Sequence, residues 1–209
     1  MSTAGRLIAF EGPEGAGKST QMARAATALR GDGRLVEATF EPGATALGIG
    51  LRETLLHARA AAAPAPLAEL FLYLADRAQH VRQVIAPALA AGAVVLTDRF
   101  SASTIAYQGY GRGLDLERVT QADAWARDGM TPRLTVLLDL PVRVGLARAH
   151  GDDDRFHAED VAFHERVRGG FHRLAAADPE TWRVIDATQP ADAVHAQVMA
   201  ALRDALEGA

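Results

Sequence analysis

Five short apolar runs, at residues 7–10, 35–39, 93–97, 134–138 and 182–185, alternate with much longer stretches of helical period. Antiparallel neighbours need only a tight turn between them, whereas parallel strands need a crossover, usually a helix. The spacing therefore predicts an α/β chain whose strands lie parallel and are covered by helices. Those helices are read at residues 19–29, 47–57, 67–89, 116–126, 142–148, 161–175 and 191–206, with Gly31 and Gly92 as stop signals after two of them.

A chain of 209 residues, 49% of them hydrophobic, is long enough for one well-buried core, so residues 1–209 are read as a single domain. Within it, the alanine- and proline-rich stretch 60–66 and the glycine-rich stretch 109–113 read as surface loops. The absence of cysteine removes disulfides, thiolate metal sites and cysteine nucleophiles. A net charge of −4 argues against a partner such as a nucleic acid polymer, which calls for a basic face, and leaves small anionic ligands open. The apolar run at residues 7–10 is too brief for a signal sequence or a membrane span, so no membrane partner is expected.

Between the first strand and the first helix stands Gly12-Pro13-Glu14-Gly15-Ala16-Gly17-Lys18-Ser19, the complete G-x-x-x-x-G-K-[ST] pattern. The position matters, because backbone N–H groups at a helix N-terminus converge on phosphate oxygens. Gly12, Gly15 and Gly17 allow positive φ and close backbone approach, Lys18 is placed to bridge the β- and γ-phosphates, and the Ser19 hydroxyl to bind Mg²⁺. With Thr20 these residues form the expected ATP-binding segment, and a nucleotide site points to the cytoplasm. Lys18 is the only lysine in the chain. Arginine carries the positive charge elsewhere, and a planar guanidinium does not replace a compact ammonium folded between two phosphates. The chain has no asparagine, which excludes an Asn-Lys-x-Asp guanine-reading motif. The loop by itself does not separate switches, motors and small-molecule kinases.

The third strand runs into Asp98-Arg99-Phe100-Ser101-Ala102-Ser103-Thr104-Ile105-Ala106-Tyr107-Gln108-Gly109. An Asp at the C-terminal end of a strand beside the phosphate loop reaches the shell of a bound metal, and the adjacent Arg can grip a phosphate with two hydrogen bonds. The segment closely resembles the D-R-[FYH]-x-x-S-T-x-A-Y-Q-G stretch of thymidylate kinases. Thr39-Phe40-Glu41-Pro42-Gly43-Ala44-Thr45 is similar to the T-R-E-P-G-G-T turn of that family, with Phe40 and Ala44 departing from it. Ala75-Asp76-Arg77-Ala78-Gln79-His80 resembles the helix that holds the acceptor base, and Ile185-Asp186-Ala187 resembles the last strand. Read without the family, helix 67–89 shows two stripes. Leu67, Leu70, Phe71, Leu74, Val81, Ile85 and Leu89 form an apolar face expected to be buried. Tyr73, Arg77 and His80 form a second, able to stack a flat base and donate to its carbonyl oxygen.

The resemblance implies a three-layer P-loop kinase fold, a five-stranded parallel sheet flanked by helices. It implies a dTMP kinase with ATP and dTMP as substrates, Mg²⁺ as cofactor and a homodimeric assembly. It places Glu14, Glu41, Arg52, Tyr73, Arg77, Arg99, Thr104, Tyr107 and Gln108 in the acceptor pocket, with Arg99 on the acceptor phosphate, Tyr73 on the thymine face and Tyr107 crowding out a ribose 2′-hydroxyl. Ser19 and Asp98 are the metal-side residues. Lys18, Arg99, Arg155 and Arg148 are the catalytic candidates. An acceptor phosphate is already ionised near neutral pH, so no general base is required and the histidines stay unassigned. Two other readings are open: a kinase for another nucleoside monophosphate or a deoxynucleoside, and a non-catalytic ATP-binding module.

A lid is expected at residues 149–160. Its text, Arg148-Ala149-His150-Gly151-Asp152-Asp153-Asp154-Arg155-Phe156-His157, is shorter and poorer in arginine than is usual in the family, with His157 where Glu is expected. Because Gly15 leaves the phosphate loop without an arginine, the family logic calls for a lid arginine, Arg148 or Arg155, on the transferring phosphoryl group.

Overall fold

The computed structural model describes residues 5–57, 62–149 and 155–207. Five strands, β1 (Arg6–Glu11), β2 (Val36–Phe40), β3 (Val94–Asp98), β4 (Leu134–Asp139) and β5 (Trp182–Asp186), form one parallel sheet in the order β2-β3-β1-β4-β5. Ile8 of β1 aligns with Leu96 of β3 on one side and with Leu134 of β4 on the other. The winding changes direction at β1, and in open sheets of this kind ligands bind in the crevice beyond the carboxyl ends at that switch. Glu11 and Asp98 stand at those ends.

Leu7, Ile8, Ala9 and Phe10 are all buried, as are Val94, Val95 and Leu96, because a parallel sheet is covered on both faces. On one face α1 (Lys18–Gly31) and α9 (Ala191–Glu207) place Ala25, Leu29, Val198 and Leu202 against Ile8, Phe10 and Leu96. On the other, Leu7, Ala9 and Val95 meet Val81, Ile85 and Phe100. The three-layer α/β architecture expected from the alternation is the one the chain adopts. Gly31 lies inside α1, however, and the left-handed residue that ends this helix is Gly33 (φ 79), whose N–H reaches the Arg30 carbonyl.

The remaining helices are α2 (Ala46–Leu56), α3 (Pro66–His80), α4 (Ala86–Ala90), α5 (Ser101–Thr104), α6 (Leu116–Ala126), α7 (Val142–Arg148) and α8 (Val161–Ala177). A π-helical stretch, Val81–Ile85, joins α3 to α4, so the helix read at 67–89 is continuous with one widened turn. A second π-helical stretch, Ile105–Gly111, extends α5 and carries Tyr107 and Gln108. Of the apolar stripe on α3, Leu70 and Leu74 are buried against Val119 of α6, but Leu67 and Phe71 are 55% and 58% exposed. The stripe is wider than the arc its neighbours cover, and these two fall off its edge. A short 3₁₀ turn, Arg155–Ala158, precedes α8; the acidic run 152–154 lies outside the described residues.

Candidate active site

β1 delivers the chain into the phosphate loop at Glu11, and α1 takes it up at Lys18. Gly12, Gly15 and Gly17 have φ of 143, 69 and 82. A Cβ at Gly15 would strike the Gly145 carbonyl oxygen, and one at Gly145 the Glu14 carbonyl oxygen. α7 thus lies directly on the loop, and the close approach admits no side chain at either position. Lys18 is 7% exposed and donates from Nζ to the carbonyls of Gly12 (3.1 Å) and Pro13 (2.9 Å). Burial, reinforced by the nearby Arg99 cation, lowers its pKa from the ordinary lysine value. Ser19 Oγ donates to Asp98 Oδ2 at 2.5 Å, which brings together the hydroxyl and carboxylate expected on the metal side.

Beside the loop opens a cavity of about 350 Å³. Glu14, Glu41, Arg52, Tyr73, Arg77, Arg99, Thr104, Tyr107 and Gln108, the whole set placed in the acceptor pocket by sequence, line it together with Lys18, Ser19 and Asp98. Phe40, Leu56, Ser103 and Phe156 also line it and were not anticipated. Arg148 and Arg155 are not on its wall.

Arg99 connects the loop to the pocket. Its Nη1 donates to Ser103 Oγ (3.0 Å) and the Gly12 carbonyl (3.3 Å), its Nη2 to Glu14 Oε1 (2.5 Å) and Tyr107 Oη (3.2 Å). Tyr107 in turn donates to Glu14 Oε1 at 2.7 Å. Burial alone would raise the Glu14 carboxyl, but the Arg99 and Lys18 cations outweigh it and bring the pKa down to about 2. Glu14 is therefore anionic and occupies the guanidinium where a phosphate would sit. Arg99 itself has φ 70, a left-handed backbone that costs a non-glycine residue about 1–2 kcal/mol. Glu11 offsets that cost from behind. Its Oε1 accepts from the N–H groups of Phe100 (2.9 Å) and Ser103 (3.2 Å), and its Oε2 from Ser103 Oγ (2.6 Å). Sequence reasoning passed over Glu11; the available signal was an acid closing an otherwise apolar strand. Burial raises its pKa to about 7.

At the far end of the pocket Arg77 is 1% exposed. Its Nε and Nη2 donate to Glu41 Oε2 at 2.9 and 2.7 Å, and its Nη1 to Thr104 Oγ1 (2.7 Å) and Asp123 Oδ1 (2.5 Å). His80, read from the helix period as a pocket-facing residue, is instead fully buried behind Glu41, with Nδ1 2.8 Å from Glu41 Oε1 and Nε2 2.7 Å from Thr39 Oγ1. Its turn of α3 packs on the sheet, leaving Tyr73 and Arg77 to face the cavity. Asp76 accepts from the Gly43 N–H at 3.1 Å, and burial raises its carboxyl to about 6. Phe40, the aromatic in place of the family's arginine, lies under Arg52, whose guanidinium carbon is 5.7 Å from the ring centroid and whose Nη1 donates to the Pro42 carbonyl at 2.8 Å. Asp123 was missed from sequence, since only the packing of α6 on α3 delivers it to Arg77.

The described end of the segment expected to form a lid is tied to α3. Arg155 donates to Glu69 and to the Leu55 carbonyl, while Phe156 packs on Tyr107 with centroids 5.5 Å apart. Arg112 holds Glu69 with one side and Glu159 with the other. Arg148 donates to the Ala187 carbonyl at 2.8 Å, at the end of β5. In this arrangement neither lid arginine reaches the phosphate loop. Among the described residues, neither buried ring nitrogen of His157 has a hydrogen-bond partner.

A loop shaped for the phosphates of one nucleotide opens onto a pocket whose arginine suits the phosphate of another, which places this chain among the P-loop nucleotide kinases. The family model described as thymidylate kinase matches residues 10–198. The chain is 56% identical over 174 residues to the thymidylate kinase of Synechococcus sp. (strain JA-2-3B'a(2-13)), covering 83% of this chain and 82% of that protein. It is 49% identical to the thymidylate kinase of Deinococcus radiodurans, across 96% and 97% of the two. The crystal structure of thymidylate kinase from Ehrlichia chaffeensis superposes with a TM-score of 0.78 at 32% identity, covering 95% of this chain and 99% of that one. The chain belongs to the thymidylate kinase family.

Proposed function

We propose that this chain transfers the γ-phosphoryl group of ATP to the 5′-phosphate of dTMP, giving ADP and dTDP. The observation that carries the reading is Arg99, held between the phosphate loop through Gly12 and Glu14 and the acceptor wall through Ser103 and Tyr107. An acceptor phosphate on Arg99 displaces Glu14, and one of its oxygens then attacks the γ-phosphorus in line while the bond to the β-phosphate oxygen breaks. The protein supplies position and positive charge. Lys18 exchanges its loop carbonyls for phosphate oxygens. Tyr73 covers the base, Arg77, Thr104 and Gln108 read its edge, Arg52 and Glu41 close the pocket, and Tyr107 crowds the 2′ position of the sugar. Arg155 leaves Glu69 for the transferring group when the lid at residues 149–160 closes, with Arg148 as the second cation.

The adjoining hydroxyl of Ser19 and carboxylate of Asp98 are hard oxygen donors that suit Mg²⁺ and would hold it beside the phosphate loop. When bound there, Mg²⁺ neutralises charge on the β- and γ-phosphates. A single kinase domain spanning residues 1–209, working in the cytoplasm as a homodimer, completes the proposal. Exposed Leu47 and Ile49 on α2, Leu67 and Phe71 on α3 and Trp125 on α6 support self-association, because these helices pack side by side. Among the described residues no helix is long and apolar enough to cross a membrane. The test is ADP release from Mg-ATP with dTMP, dUMP, UMP, dCMP or AMP as acceptor. Strong turnover with dTMP is expected; ATP binding with silence across the panel would refute the reading.

A further inference from the structure

We propose that Glu69, which lies behind the pocket wall, sets the base specificity of the acceptor site by fixing the orientation of the Gln108 side-chain amide. The inference rests on the thymidylate reading above. Glu69 is 0% exposed, at the centre of a small polar web. Its carboxylate takes the guanidinium groups of Arg112 (3.2 Å at each oxygen) and Arg155, and its Oε1 accepts from Gln108 Nε2 at 2.8 Å.

The oxygen and nitrogen of a glutamine amide are nearly interchangeable in shape, so a neighbour's chemistry decides which way the group points. Each carboxyl oxygen of Glu69 accepts from Arg112, so both face donors and accept, whether or not Arg155 stays. The NH₂ of Gln108 must therefore face Glu69, and its carbonyl oxygen must face away. Gln108 is 1% exposed and lines the cavity, and among the described residues its Oε1 carries no hydrogen bond. The pocket thus presents a buried, unoccupied acceptor at this point. Arg77, on the same wall, presents a donor: Nη2 gives one N–H to Glu41, and among the described residues its second N–H meets no acceptor.

An acceptor beside a donor matches the edge of thymine or uracil, where N3–H donates and O4 accepts. Cytosine carries the opposite pair, a lone pair at N3 and an amino group at C4. It would set acceptor against acceptor and donor against donor in a site closed to water, where unmet polar groups are costly. Arg77 supplies one half of this discrimination. Gln108 supplies the other only while Glu69 holds its amide, because a free amide would flip to offer NH₂ to N3 of cytosine.

The experiment measures kcat/KM for dTMP, dUMP and dCMP in the wild-type protein and in Glu69→Gln, whose own amide can face Gln108 with either end. The expected result is a fall of about tenfold in the dTMP-over-dCMP preference, with dTMP over dUMP unchanged because those bases share one edge. Arg112→Lys, which perturbs the web but leaves the Glu69–Gln108 contact, should keep the wild-type preference. A proportional loss with all three substrates in Glu69→Gln would overturn the proposal and leave Glu69 a structural anchor. If neutralising Glu69 alone prevents folding, the Glu69→Gln, Arg112→Gln double variant removes both charges and carries the same comparison. Wild-type protein inactive with dTMP would instead overturn the activity on which the inference rests.

Discussion

Glu11→Gln isolates the cost of a buried acid that holds the base of the active site. In the wild-type protein Glu11 is 0% exposed and its pKa is raised by burial from 4.5 to about 7, the hydrogen bonds from Ser103 and Phe100 and the Arg99 charge opposing the rise. The folded chain binds this proton more tightly than the unfolded one. Its contribution to stability is therefore complete below pH 4.5 and is lost as the pH climbs to about 7. The span corresponds to about 3 kcal/mol, and full burial leaves little solvent to screen it. Glutamine keeps an oxygen for the N–H groups of Phe100 and Ser103 and can donate to Ser103 Oγ, but it does not titrate. Urea unfolding of both proteins from pH 4.5 to about 8 should show the stability of the variant, relative to wild type, growing by about 3 kcal/mol with pH. Carboxyls such as Asp76 and Glu14 titrate in both proteins and cancel in the difference. A stability difference independent of pH would refute the reasoning, for it would mean that Glu11 is ionised at its ordinary pKa within the fold.

Arg155→Ala should lower kcat by roughly 10³ with a modest change in KM for dTMP; steady-state rates equal to wild type would confine Arg155 to its anchoring bond with Glu69. Phe40→Ala removes the ring beneath Arg52 and should raise KM for dTMP by about three- to tenfold with little change in kcat. An unchanged KM would reduce Phe40 to surface packing. Arg77→Leu strands the buried carboxylates of Glu41 and Asp123, and denaturant unfolding should register a loss of about 3–5 kcal/mol. A loss below about 1 kcal/mol would show that those acids are satisfied without the arginine.

The sheet was legible because its cause is local: an apolar run short enough for a strand, followed by a helical period, repeats along the chain and leaves parallel pairing as the simplest outcome. The phosphate loop was legible for the same reason, since every residue that shapes it lies within one turn and one helix start. The apolar stripe of α3 was read too broadly. Periodicity names the residues on a face but not the width of the arc its neighbours bury, so Leu67 and Phe71 emerged exposed and His80 emerged inside.

What the sequence determined by itself was the α/β class and the phosphate loop with its single lysine; the acceptor-pocket set from Glu14 to Gln108 came only through the resemblance to thymidylate kinases. The class and the loop depend on residue type at fixed spacing, and backbone stereochemistry converts such spacing directly into geometry. Only the tertiary structure decided that Glu11 braces Arg99, that Asp123 joins Glu41 on Arg77, that Phe40 bears on Arg52, and that Glu69 gathers Gln108, Arg112 and Arg155. Those contacts join residues that lie up to 92 positions apart, as Glu11 and Ser103 do. Buried charges must find partners wherever the packing brings them, and no local pattern in the chain records where that will be.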